Sequence, residues 1–72
     1  MTEYHVMLFK SVSHALLAEK TLKEAGIGHK LIPVPRHISS DCGVCLRFQA
    51  GDTERIVQAL SGKVEFELIR PL

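Results

Sequence analysis

The sequence contains no tryptophan, one tyrosine and three phenylalanines in 72 residues, and its formal net charge is +1. Sheets that bind RNA interleave stacking aromatic side chains with basic ones, and that pattern is missing here. The nearly neutral charge also provides no basic field for nucleic acid. No apolar run approaches the roughly 18 residues that a membrane span needs. We therefore expect neither nucleic acid nor a membrane among the binding partners.

The N-terminus lacks a basic segment followed by an apolar stretch, so we expect no signal peptide and a cytoplasmic location. The chain has only two cysteines, Cys42 and Cys45. In a reducing compartment such a close pair indicates catalytic thiols or a metal site rather than a structural disulfide. A glycine-rich phosphate loop, paired catalytic carboxylates and a serine–histidine–aspartate pattern are all missing. Familiar hydrolases and transferases are therefore not indicated, and no cofactor is expected.

The composition, 46% hydrophobic and 24% charged, is typical of a globular protein, and the length predicts a single domain over residues 1–72. A chain this short buries only about 60% of its unfolded surface, so the core is thin and a homodimer is compatible with it. Alternating strand-forming residues predict four strands, over 4–9, 29–34, 44–48 and 64–69. In the last of these, Val64, Phe66 and Leu68 are expected to face the core.

Caps and helical spacing predict two helices. Ser11 or Ser13 would cap the first helix, which Gly26 ends, and Asp52 would cap the second, which Gly62 ends. On the first helix one stripe consists of small and apolar residues, which indicates close packing against a sheet: Ala15, Ala18, Leu22 and Ala25.

The resulting order, β-α-β-β-α-β, is that of the ferredoxin-like split βαβ pattern. We therefore predict an α+β two-layer sandwich with two helices on one face of a four-stranded antiparallel sheet. Strand three would lie between strands one and two, antiparallel to both. The first helix would then begin at the edge of the sheet where the loop before strand three lies.

Both cysteines belong to the segment 32–45, which includes that loop. Arg36 and His37 precede Cys42, and positive neighbours favour the thiolate, which is the nucleophilic form of cysteine. Gly43 follows Cys42, at a point where a bend or a close backbone approach to a ligand requires glycine. We predict that this loop is the functional element and that Cys42 is its more acidic and more reactive thiol.

Other polar groups are expected near the same edge. The first helix would direct its free N–H groups and its dipole toward the loop, and His14 lies in its first turn. His14 is either a partner of the thiol or a half-buried histidine without chemistry. Ser39 and Ser40 can form a turn or donate hydrogen bonds to an anion. Arg36 and Arg47 either bind an anionic partner or are solvated surface residues.

Several alternatives stay open for the cysteines. Cys45 lies on the third predicted strand, where it is either packed or a second reactive thiol. Residues three apart in an extended run face opposite sides, so pairing Cys42 with Cys45 requires a bend at Gly43. A zinc site could be built from Cys42, Cys45, His37 and His14, although the usual second close pair of ligands is missing. A small dimeric interaction module without thiol chemistry is the other alternative.

Five stretches of the chain form a recognisable pattern: Ser13-His14-Ala15, Ala18-Glu19-Lys20, Leu31-Ile32-Pro33-Val34-Pro35-Arg36, Ile38-Ser39-Ser40 and Cys42-Gly43. This pattern resembles the selenium/sulfur carrier protein-like family of small bacterial domains, and the resemblance covers nearly the whole chain. Cys42 matches the family's cysteine, whereas Cys45 falls where the family also accepts a small or apolar residue.

The resemblance implies that Cys42 carries sulfur or selenium as a persulfide or selenopersulfide. A chain of this size has no room for a deep substrate pocket, so a carrier is expected rather than an enzyme with its own turnover. The implied donor or acceptor is a cysteine desulfurase or a protein of selenium metabolism.

Overall fold

The computed structural model describes residues 3–38 and 43–72. Within these ranges the chain forms four strands and two helices, namely β1 Tyr4–Leu8, α1 Val12–Glu24, β2 Lys30–Pro33, β3 Val44–Gln49, α2 Thr53–Leu60 and β4 Leu68–Pro71. The strands form one sheet in the order β2-β3-β1-β4, and all neighbours are antiparallel. The predicted ferredoxin-like α+β sandwich is confirmed, including the place of β3 between β1 and β2. No helix in the described ranges is long and apolar enough to cross a membrane.

The two helices pack on one face of the sheet, which we call the helix-covered face. Alternate residues of β1 and β3 point to this side, where they meet the apolar stripes of α1 and α2. The fully buried members of this core are Met7, Phe9, Ala15, Ala18, Leu22, Leu46, Phe48, Ile56 and Leu60.

The other side of the sheet, which we call the open face, has a smaller apolar cluster without any helix residue. Val6, Leu8 and Cys45 are buried there, and Ile38 from the chain that follows β2 packs on them. The half-buried Ile32 and Val34 complete the cluster. One end of the open face is therefore covered by the beginning of the β2–β3 connection rather than by a helix.

The predicted ends of α1 are confirmed at Ser11 and Gly26. The Ser11 hydroxyl oxygen accepts a hydrogen bond from the backbone N–H of His14 at 3.3 Å, which satisfies one free donor of the first turn. Gly26 follows the helix with φ of +72°, a conformation that side chains rarely adopt. The prediction that Ala25 belongs to the buried stripe is wrong, because Ala25 is the cap residue and is exposed.

The prediction that Asp52 lies at the cap of α2 is confirmed, but its side chain makes no capping hydrogen bond. Asp52 occupies the cap position, but its φ of −96° and ψ of 3° differ from the extended conformation of a capping residue. The chain enters α2 through a 3-10 turn, Ala50–Asp52, in which Thr53 Oγ1 donates to the Ala50 carbonyl at 2.7 Å. The Asp52 carboxylate instead accepts from Arg55 Nη1 at 3.3 Å.

The last strand begins four residues later than predicted, at Leu68 instead of Val64. Val64 and Phe66 do pack against the helix-covered core, but they precede the strand. Leu68, predicted to face that core, is 38% exposed, whereas Ile69 packs against it. The cause is the pairing register, which places Leu68 opposite Leu8 and therefore turns Ile69 to the helix side.

Candidate functional site

The β2–β3 connection and the start of α1 lie at the same edge of the sheet. β1 and β2 are both antiparallel to β3, so both run toward the edge at which β3 begins. α1 follows β1 at this edge after a short connection. The predicted placement of the start of α1 beside the β2–β3 connection is therefore confirmed. We call this end of the strands the loop edge.

A backbone hydrogen bond holds the two ends of the β2–β3 connection together. The Val34 N–H donates to the Gly43 carbonyl at 3.2 Å, directly beyond the last pair of the ladder, Pro33 with Val44. Gly43 is exposed and therefore leaves its side of the edge accessible. This hydrogen bond therefore holds the first and last residues of the connection side by side, and we call the bonded pair Val34 and Gly43 the neck.

Beyond the neck, the chain turns back onto the open face. The Ile38 N–H donates to the Pro35 carbonyl at 3.0 Å, which closes a turn over residues 35–38. Ile38 is buried against the sheet, whereas Arg36 and His37 at the tip of the turn are exposed. The buried isoleucine therefore anchors a turn that presents a guanidinium and an imidazole to solvent. Cys42, Ser39 and Ser40 lie outside the described residues.

Cys45 lies on the open face beneath this turn. Its side chain has no exposed surface, and it belongs to the cluster of Val6, Leu8 and Ile38. Its Sγ lies 4.0 Å from the Pro33 carbonyl oxygen, toward which the S–H can point. In this conformation the thiol of Cys45 is therefore out of reach of a partner protein.

His14 shares the loop edge but lies on the helix side of the sheet. Its Nδ1 is 2.6 Å from the Ser11 hydroxyl, so the residue that caps α1 also orients the imidazole. The half-buried ring lines a cavity of about 300 Å³ together with Lys10, Glu65 and Phe66. The sheet therefore separates His14 from Cys45, and the two side chains are not brought together.

The zinc alternative can be tested on three of its four proposed ligands. Cys45, His37 and His14 all fall within residues 3–38 and 43–72. In those ranges no three histidine, cysteine or acidic side chains are grouped so that they could hold a metal ion. These three residues therefore do not form the core of a metal site.

A family model described as "Putative Se/S carrier protein-like" matches residues 4–69. The chain belongs to this family. The comparisons with curated proteins and with solved structures gave no match. The matched range runs from the first residue of β1 into β4, so it contains the first three strands, both helices, the whole β2–β3 connection and the beginning of β4.

In this Se/S carrier-like protein, one structural element of the site was not anticipated from the sequence. Ile38 is the apolar residue between His37 and the serines of the loop, and its burial fixes the turn on the open face. The sequence did contain a signal for this contact, because Ile38 is an isolated apolar residue in a polar loop. Such residues often pack against a neighbouring apolar cluster and anchor the loop there.

Proposed function

We propose that the protein carries sulfur or selenium as a persulfide or selenopersulfide on Cys42 and delivers it to a partner protein. Membership of the Se/S carrier-like family supports a carrier role. The observation that favours Cys42 over the other thiol is the complete burial of Cys45 under the Ile38 turn. Transfer between proteins requires a thiol that the partner's sulfur can approach, and a buried cysteine behaves as a packed apolar residue.

The proposed loading step is a thiol exchange. The Cys42 thiolate attacks the terminal sulfur of a desulfurase persulfide; a new S–S bond forms on Cys42 while the original S–S bond breaks. The electron pair of the broken bond leaves with the desulfurase cysteine as a thiolate. In delivery, a nucleophile of the acceptor attacks the terminal sulfur, and Cys42 leaves as a thiolate. No external oxidant or reductant is needed for either step.

The proposed role of the surrounding residues is to favour the anionic sulfur. Arg36 is exposed at the tip of the turn, where its positive charge would stabilise a thiolate or a persulfide anion, and the exposed His37 beside it would donate a hydrogen bond. Ser39 and Ser40 are proposed as further hydrogen-bond donors, and Gly43 as the point that leaves room for the partner. His14 is proposed to assist from the helix side of the loop edge, oriented by Ser11.

Intact mass after incubation with a cysteine desulfurase and cysteine tests this proposal. Wild type and Cys45→Ser should each gain the mass of one sulfur atom, and Cys42→Ser should gain none. Arg36→Ala and His14→Ala should stay folded but load or discharge more slowly. If Cys42→Ser loads as well as wild type, or if wild type takes up no transferable sulfur or selenium, the carrier proposal is wrong.

A dimeric interaction module is the second candidate, favoured by an exposed apolar stripe on α1. Val12, Leu16 and Leu17 are 49%, 48% and 48% exposed. Sedimentation of wild type and of Leu16→Lys separates the candidates. A stable dimer that Leu16→Lys dissociates, in a protein that takes up no sulfur, would favour the module.

Elemental analysis showing stoichiometric zinc, with unfolding by a chelator, would instead favour a metal site.

A further inference from the structure

Three basic residues lie in a single row across the open face. The strand registers pair Lys30 with Arg47, Arg47 with Val6, and Val6 with Arg70. Paired residues of adjacent antiparallel strands point to the same side of a sheet. The row therefore reads Lys30, Arg47, Val6 and Arg70 from one edge strand to the other, and we call it the basic row.

This arrangement is unfavourable for the isolated protein. Like charges placed directly opposite each other destabilise a sheet, and Lys30 is directly opposite Arg47. None of the three cations makes an ion pair within the described ranges, where the recorded pair is Arg55 with Asp52. None of the four strands contains an acidic residue. Subtracting the three charges of the row from the net charge of +1 leaves −2 for the rest of the chain, so the open face is locally basic.

Arg47 is held in a fixed position at the centre of this row. Its guanidinium lies 4.5 Å from the centroid of the Tyr4 ring, which is a cation–π contact. Its Nε is buried and has no hydrogen-bond partner among residues 3–38 and 43–72. A donor that is buried and unpaired is costly, so Arg47 carries a penalty in the free protein.

A cavity of about 340 Å³ adjoins Arg47 and is lined by Tyr4, His29, Lys30, Gln49 and Asp52 among others. Gly28 and the apolar Phe48 complete the lining, and its other residues are charged or able to form hydrogen bonds. Its one acidic side chain, Asp52, is already engaged by Arg55 at 3.3 Å. The cavity therefore suits a carboxylate side chain of a binding partner rather than a cation.

We propose that the basic row docks an acidic segment of a partner protein, and that one carboxylate of this segment enters the cavity between Lys30 and Arg47. Arg47 is four strand residues from Gly43, or about 13 Å at the usual rise per residue. A partner bound on the row would therefore also cover the neck of the β2–β3 connection. Interfaces of ordinary size extend over such a distance.

Two other occupants fit the open face less well. RNA-binding sheets stack two or three bases on aromatic rings, but Tyr4 is the one aromatic residue that the described strands present here, and Arg47 covers one side of its ring. A second copy of the chain bound face to face would place two basic rows against each other. An acidic protein segment complements the positive charge of the open face. It needs no further aromatic rings, and it brings no second row of positive charges against the first.

Docking on the basic row does not require sulfur transfer. The binding test therefore uses the Cys42→Ser protein, which cannot carry sulfur at that position. The probe is a fluorescein-labelled peptide rich in glutamate, and binding is followed by fluorescence anisotropy in low salt. A second peptide has glutamine in place of every glutamate, and an oligouridylate of equal charge represents nucleic acid. The glutamate peptide should bind, with an affinity that falls as salt is added, and the glutamine peptide should not.

Variants of the row locate the binding. Lys30 and Arg70 are exposed, so Lys30→Gln/Arg70→Gln should stay folded and weaken binding by about tenfold, and Arg47→Gln should weaken it at least as much. The matched control, Lys20→Gln/Lys23→Gln, removes the same charge from the exposed side of α1 and should change the affinity by less than about twofold.

Three outcomes would overturn the proposal. Equal weakening in the α1 control would mean that overall charge, not the row, binds the peptide. Tighter binding of the oligouridylate than of the glutamate peptide would assign the face to nucleic acid. An absence of binding by the glutamate peptide at low salt would remove the docking surface altogether, whatever the sulfur-loading experiment shows.

Discussion

The two faces of the sheet differ in composition: the helix-covered face is mainly apolar, whereas the open face combines a small apolar cluster with basic residues. On the helix-covered face, residues from β1, β3, α1 and α2 form a continuous apolar core. On the open face, the Ile38 turn and three buried strand residues form a small apolar cluster toward one end, and the basic row crosses the middle. Burial of apolar surface is the main stabilising contribution to folding, so the first face should determine stability. The second face can accept residues that are unfavourable for folding and useful for binding.

The largest effect is expected for truncation of the helix-covered core. Phe48 is 1% exposed beneath the helices, and Phe48→Ala should lower the free energy of unfolding by about 3–5 kcal/mol. In a domain of this size that is much of the total stability. Urea denaturation measures the change, and the exposed neighbour Gln49→Ala serves as control. A loss under about 1 kcal/mol for Phe48→Ala would remove the contrast between the faces.

A smaller effect is expected for the open-face anchor. Ile38→Ala should cost about 2 kcal/mol, the low end for such truncations, because few residues surround this side chain. In the Cys42→Ser background it should also speed alkylation of Cys45, since Ile38 covers that thiol. His37→Ala, which changes an exposed neighbour, should leave the alkylation rate unchanged. If Ile38→Ala leaves Cys45 equally slow, the turn is not what protects it.

Ser11 lies where the helix layer meets the loop edge, and it stabilises the first turn of α1. Ser11→Ala removes the cap of α1 and should cost about 1 kcal/mol in thermal or urea unfolding. Ser13→Ala is the matched control, since Ser13 lies inside the helix and alanine is the better helix former there. A greater loss for Ser13→Ala than for Ser11→Ala would contradict the assigned cap.

The smallest effect is expected in the basic row, and its sign is the informative part. Lys30→Gln should raise the free energy of unfolding by a few tenths of a kcal/mol in dilute buffer, because it removes the repulsion by Arg47. The gain should disappear in high salt, which screens exposed charges. Lys20→Gln, on α1, should show no such gain. Destabilisation by Lys30→Gln at low salt would show that the row is not repulsive.

Much of this fold could be predicted from local sequence patterns. The alternating patterns located the four strands, and their order predicted the place of β3 between β1 and β2, as the sheet order confirms. The start of β4 could not be predicted, because Val64 and Phe66 alternate with glutamates as strand residues do. Their burial beneath the helices depends on contacts that no local pattern contains.

The site was predictable only in its topology. The order of elements placed the β2–β3 connection and α1 at one edge, but it did not indicate that Ile38 would cover the open face. The basic row was even harder to predict from the sequence. Lys30, Arg47 and Arg70 are distant in sequence, and only the registers of three strand pairs align them in one row.

The neck formed by the Val34 N–H and the Gly43 carbonyl has a consequence for how this protein could be altered. This hydrogen bond closes the β2–β3 connection directly beyond the last pair of the ladder, Pro33 with Val44. Closure entropy grows slowly with loop length, by only about 0.6 kcal/mol for each doubling. Lengthening the β2–β3 connection should therefore change the free energy of unfolding only a little. The sheet and its helices would then form a scaffold whose strand pairing tolerates connections of different lengths.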